Sequence, residues 1–191
     1  MISFKPCETE FRVHFSFFVF NALIFLLRDG RLVMTFYTVC AVHEAGHIFA
    51  LMLVGGRIAS VELSGFGIRM NRQKSRIISA KSSVFVLLAG PAANIIMYIL
   101  MKLTGCGGDF PMLNLMAAAY NMLPYRSLDG GAVIAEFTAG TAVENAAELA
   151  LRAVKLSFIA ASAALTISSG TAALPLLTAA AALYISDKKA V

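Results

Sequence analysis

Long apolar runs, broken by short charged or glycine-rich stretches, organise this chain. The first extends from Phe11 to Leu27, and the turn Arg28-Asp29-Gly30-Arg31 separates it from a second, Leu32 to Val54. Runs of about 20 apolar residues are long enough to cross a bilayer as helices. A secretory leader is the other reading of the first run. Arg12 and His14 lie inside it, however, and no small-x-small cleavage pattern precedes Arg28, so it reads as a retained helix. Residues 55–82 break the hydropathy, opening with Gly55-Gly56 and carrying Arg57, Arg69, Arg72, Lys74, Arg76 and Lys81. Within them, Ile58 to Leu63 and Phe66 to Met70 read as two short strands around Ser64-Gly65, a hairpin signal. A third helix is predicted from Ser83 to Leu103, ended by Gly105-Cys106-Gly107-Gly108. A fourth begins at Phe110 and is interrupted at Pro124, which cannot continue a helix without losing a backbone hydrogen bond. Thr141-x-x-Glu144 then has the form of a capping box ahead of an amphipathic segment. The tail, Ala153 to Ser186, is long for one span; its break at Ser168-Ser169-Gly170-Thr171 divides it into two short helices unless it forms a single tilted one.

Composition sharpens this pattern. Of 191 residues, 59% are hydrophobic and 14% charged, and the mean hydropathy is +0.77. A soluble domain is about a quarter charged, so an ordinary cytosolic globule and intrinsic disorder are both excluded. The net charge of +5 does not indicate nucleic acid, because the basic residues are scattered between apolar runs without an aromatic-interleaved patch. They read instead as a topology signal, since short cytoplasmic loops carry the excess Lys and Arg. With six spans and both termini cytoplasmic, 13 of the 16 basic residues fall on one side, leaving Arg28, Arg31 and Lys102 on the other. A five-span arrangement moves Lys188 and Lys189 outside and weakens the split. The expected fold is an all-α polytopic membrane protein, a single domain over residues 1–191, with about six transmembrane helices and a β-hairpin between the second and third. Cys7, Cys40 and Cys106 form no C-x-x-C pair and are odd in number, so they read as small apolar fillers.

Inside the second run lies His43-Glu44-Ala45-Gly46-His47, an H-E-x-x-H pattern. Positions i and i+4 share a helix face, so both imidazoles can reach one Zn²⁺ at about 2.0 to 2.1 Å. Glu44 is adjacent and can accept a proton from an attacking water. Two His and a Glu at mid-span are costly, and ionisable groups at that depth normally mark a functional site. Cys40, one turn before His43, adds nothing that the two His lack.

A catalytic zinc site wants three protein ligands and an open fourth position. Asp129 is a carboxylate beside an apolar span with distinctive surroundings, in Asn121-Met122-Leu123-Pro124-Tyr125-Arg126-Ser127-Leu128-Asp129-Gly130-Gly131. Pro124 stops the preceding helix, and the flexible Gly130-Gly131 permits a sharp backbone approach, so that the carboxylate can turn back toward the second helix. Taken alone, the segment reads more readily as an ordinary Asp-Gly turn. Glu136 and Glu144 compete for the role, but lie farther along in a stretch that reads as helical and interfacial.

Three motifs in one order, His43-Glu44-Ala45-Gly46-His47, Gly90-Pro91-Ala92-Ala93-Asn94 and Asn121-x-x-Pro124 leading to Leu128-Asp129-Gly130-Gly131, resemble the site-2 protease family of intramembrane zinc metalloproteases. The resemblance covers roughly residues 10–140, a catalytic core, with a C-terminal helical hairpin over about 153–186. It implies one Zn²⁺ held by His43, His47 and Asp129, Glu44 as general base, and Asn94 and Asn121 lining the substrate site. It implies a membrane-embedded helix as substrate, with regulatory or inhibitory membrane proteins as further partners. It also makes the hairpin membrane-associated. The chain looks most like the small branch that includes the sporulation sigma-factor processing protease, through His14 in the first helix, Phe66-Gly67 in the hairpin and the absence of a PDZ insertion. Two departures stand out. Ser127 replaces the family's usual Pro before Leu-Asp-Gly, and no nucleotide-sensing domain is expected, so ATP control within the chain is not expected either.

The function expected is cleavage of a peptide bond in or next to a transmembrane segment of a membrane protein or membrane-tethered transcription regulator. A catalytically inactive helix-binding relative has no need of Glu44. A metal-ion transporter should distribute its ligands along a path rather than cluster them around one helix.

Overall fold

A computed structural model describes residues 2–5, 10–27, 29–64, 67–72, 79–169 and 184. Its elements run β1 (Ile2–Phe4), β2 (Glu10–Val13), α1 (Phe15–Leu27), α2 (Gly30–Leu53), β3 (Ile58–Ser64), β4 (Gly67–Arg72), α3 (Ala80–Leu103), α4 (Asp109–Asn121), α5 (Asp129–Thr138) and α6 (Glu144–Ser169). Local signals set most boundaries. Asp29 caps α2 by accepting from Arg31 N, Ser79 caps α3 by accepting from Ser82 N, and Gly105 takes φ 71° where α3 ends.

The sheet is larger than the hairpin expected from sequence. Its four strands lie in the order β1-β2-β3-β4. The hairpin is present as β3 and β4, antiparallel with Val61 opposite Met70 and Leu63 opposite Ile68; the Ser64-Gly65 turn and Phe66 fall partly outside the described residues. The difference lies at the N-terminus, where residues 11–13 of the first apolar run are strand and not helix. Arg12 is bonded to Glu10 at 2.8 Å on its own strand and to Glu62 of β3 at 3.2 Å, while Phe11 stacks on Phe4 of β1 with ring centroids 5.3 Å apart. Alternation along β2 thus sends Arg12 to a polar face and Phe11 to an apolar one. The Arg12 guanidinium holds the Glu10 carboxyl below its ordinary pKa range. His14 accordingly stands at the strand-to-helix junction, outside the first helix, where its backbone N donates to Leu63 O at 2.9 Å. Because β2 pairs parallel with β3, α1 and α2 together form the crossover between them.

Among the described residues, three helices are long and apolar enough to span a membrane: Gly30–Leu53, Ala80–Leu103 and Glu144–Ser168. α1 and α4 are apolar but have 13 residues each, about 20 Å at 1.5 Å per residue and short of a full hydrocarbon core. The C-terminal helical hairpin was expected over 153–186; of it, the structure describes α6 up to Ser169 and residue 184. Large apolar side chains such as Phe49, Met52, Ile96 and Leu103 face outward, whereas His43, Ser83, Asn94 and Asn114 are buried. Polar groups buried among apolar core residues, beneath an exterior of large apolar side chains, depart from the soluble pattern and fit a hydrocarbon surround. The protein is a membrane protein.

α2 and α3 pack closely. A β-carbon on Gly46 would meet Ala89 O at 2.5 Å and the Ala93 β-carbon at 2.8 Å. Small residues on both faces let the backbones approach, as in other membrane helix pairs. This approach positions the site.

Candidate metal centre

His43 and His47 stand one turn apart on α2 and face α3. Three α3 positions one turn apart, Val86, Gly90 and Asn94, meet them. His47 Nδ1 lies 2.8 Å from Val86 O, and His43 Nδ1 lies 2.7 Å from Asn94 Oδ1. Gly90 between them leaves room, since a β-carbon there would be 2.3 Å from His47 Nε2. Pro91 within α3 removes one N–H from the helix ladder beside this contact.

These bonds determine where the ring protons sit. A backbone carbonyl only accepts, so His47 Nδ1 must donate to Val86. Asn94 Nδ2 donates to Val39 O at 3.2 Å and to Asn114 Oδ1 at 2.8 Å, which turns Asn94 Oδ1 to His43, so His43 Nδ1 donates as well. In the neutral imidazoles both Nε2 atoms then carry bare lone pairs, and they lie 3.1 Å apart.

The third group arrives from α5. Asp129 is its first residue, where the helix dipole favours a carboxylate. Its Oδ2 lies 3.0 Å from His43 Nε2 and 3.3 Å from His47 Nε2, yet it is buried with no donor directed at it. Three lone-pair atoms converging on one point repel each other unless a metal cation or a proton sits between them. Bonds of about 2.0 to 2.1 Å in tetrahedral geometry separate ligand atoms by about 3.3 Å, close to the three edges found here. The residues therefore fit a zinc ion. Among the described residues, His43, His47 and Asp129 form the one group able to hold a metal. Glu136, Glu144 and Cys40 stand outside it.

The segment before Asp129 is packed, not flexible. Gly130 and Gly131 are helical and buried, and β-carbons on them would fall 2.3 Å from Met122 O and 2.1 Å from Tyr125 O. The glycines, expected from sequence to lend flexibility, instead serve close packing of α5 on the 122–128 loop. Arg126 of that loop pairs with Glu148 of α6, and Lys155 stands 5.6 Å from the Tyr125 ring centroid. At the start of α6 the capping box takes a different form. Glu144 accepts from Gly140 N at 2.8 Å, and the Thr141 hydroxyl donates back to Thr138 O at 2.7 Å.

Glu44 is half-buried beside the ligands, within electrostatic reach of His43, His47 and Asp129. Asn94 is fully buried at 0% exposure, its amide committed to His43, Asn114 and Val39, so it lines the back of the metal group and not an open substrate path. Asn121, the last residue of α4, is half-buried and donates to Ala117 O at 3.0 Å. Asn114 and Gly90 have site roles that the sequence reading did not assign. For Asn114 the available signal was a polar residue in the middle of an apolar helix.

These features define a membrane protein with a His-His-Asp group able to hold a metal, contributed by α2 and α5 and backed by α3. No protein-family model and no curated protein matches the sequence. Among solved structures, the chain is similar to the site-2 protease from Methanocaldococcus jannaschii, with a TM-score of 0.68 at 17% sequence identity, over 98% of this chain and 94% of that one. The fold is that of the site-2 proteases.

Proposed function

We propose that this protein is an intramembrane zinc endopeptidase. The observation that carries the reading is the convergence of His43 Nε2, His47 Nε2 and Asp129 Oδ2 on one point with Glu44 alongside, in a site-2 protease fold. His43, His47 and Asp129 would hold zinc, which when bound polarises a carbonyl and makes water acidic enough to react near neutral pH. Glu44 takes the proton as water adds to the scissile carbonyl carbon, then returns it to the leaving nitrogen as the C–N bond breaks. His47 and His43 keep their Nδ1 protons throughout.

A transmembrane helix hides each scissile carbonyl in its own hydrogen bonds, so the substrate must unwind locally. The sheet ends in the strands β1 and β4, and strand addition at such an edge is a route for holding an unwound segment. Asn121 would satisfy freed backbone groups. The substrate class we favour is a membrane protein or membrane-tethered transcription regulator cleaved near the cytoplasmic side, with both termini of the protease cytoplasmic. A sigma-factor precursor stands among the substrates to test. Co-expression with single-span candidates, wild type beside Glu44→Gln, is the deciding experiment. Cleavage should vanish in Glu44→Gln while zinc stays bound; loss of zinc together with activity would make Glu44 a ligand instead.

A further inference from the structure

The amide chain behind His43 has a direction, and it starts from the backbone. Asn114 of α4 donates from Nδ2 to Phe110 O at 2.8 Å. A carbonyl only accepts, so Asn114 Oδ1 is the atom turned toward Asn94. Asn94 meets it with Nδ2, which it also directs at Val39 O, leaving Asn94 Oδ1 for His43 Nδ1 at 2.7 Å. An acceptor there requires the hydrogen on Nδ1, which frees Nε2 for the metal group. Both asparagines are 0% exposed, so bulk water offers no alternative partner if either amide turns over.

We propose that Asn114, acting through Asn94, sets the tautomer and ring orientation of His43, and is a positioning residue for a metal centre it does not touch. The inference rests on the metal-centre reading above. Groups that orient a metal-bound histidine typically alter metal affinity about 10- to 100-fold when removed. His47 needs no such relay, because its Nδ1 donates directly to Val86 O.

The test uses the full chain in detergent with ¹⁵N-labelled histidine, of which the sequence has three. Zinc loss to a chelator is timed, and the imidazole ¹⁵N spectrum reports which nitrogen bears hydrogen. Asn114→Ser is the main variant. Its hydroxyl can bond the carbonyl four residues back, as serine does in helices, and is too short to reach Asn94. Zinc loss should accelerate about tenfold or more in Asn114→Ser and in Asn94→Ala, and the double variant should lose zinc no faster than Asn94→Ala alone. Multiplying effects would indicate separate packing roles and overturn the relay. So would a folded Asn114→Ser that keeps wild-type zinc retention. Asn94→Asp, whose carboxylate accepts in either orientation, should make zinc retention insensitive to Asn114→Ser. The wild-type spectrum decides the relay even if the variants misfold or zinc does not bind: His43 must bear its hydrogen on Nδ1, and an Nε2-H tautomer refutes the proposal. A wild type that binds no zinc would sink the metal reading alone.

Discussion

A β-carbon on Gly90 would stand 2.3 Å from Nε2 of His47 and 2.8 Å from Nε2 of His43. α3 therefore passes directly over the metal-facing edges of both rings. Neither ring can swing clear without giving up its Nδ1 bond to Asn94 or to Val86. Gly90→Ala should lower the zinc content of the purified protein about tenfold or more and remove cleavage, while helix content by circular dichroism stays near wild type. A fully zinc-loaded Gly90→Ala would show that the rings sit elsewhere when metal is bound.

Asp129 is the proposed ligand that comes from outside α2, and its Oδ2 has no donor of its own. Asp129→Ala should lose zinc and activity together. Glu136→Gln and Glu144→Gln should leave both nearly intact, because neither carboxylate belongs to the metal group and Glu144 accepts from Gly140 N. Metal analysis of the three purified variants decides this; full zinc content with normal turnover in Asp129→Ala would falsify the assignment.

Gly131 presses on a part of the chain that cannot yield as a flexible side chain would. The nearest atom to an added β-carbon is the backbone oxygen of Tyr125, at 2.1 Å, and Tyr125 is itself buried at 1% exposure. Gly131→Ala should destabilise the protein by about 1–3 kcal/mol, the usual range for overpacking, and displace Asp129. A lowered thermal midpoint with reduced zinc affinity is expected. Unchanged values of both would mean that α5 is free to slide on the loop.

β2 and β3 pair in one sheet, so α1 and α2 leave that sheet and return to it. Arg12 and Arg57 then share a side, as the distribution of basic residues suggests. In a background without Cys7, Cys40 and Cys106, single cysteines at Lys74 and Lys189 should label from the cytoplasmic side and one at Gly107 from the opposite side. Labelling of position 189 from outside would eliminate the six-span topology.

The chain's own sequence determined the membrane character, the long helices α2 and α3, the hairpin β3-β4 and the pairing of His43 with His47, because each depends on local hydropathy or on spacing within one element. β2 was not legible. Phe11 and Val13 continue the hydropathy of α1, and the alternation that marks a strand is only four residues long, so its partner Glu62 had to be in place before Arg12 made sense there. The positions of Asp129, Gly90, Asn94 and Asn114 around His43 were settled only by the tertiary structure. Asp129 carried a motif, yet whether its carboxylate turns inward depends on how closely α5 packs on the Tyr125 loop. Asn94 looked like a residue facing substrate until the approach of α2 and α3 through Gly46 and Ala89 brought it onto His43. Asn114 had no motif at all, because a hydrogen bond between amides on two helices leaves no periodicity in either one.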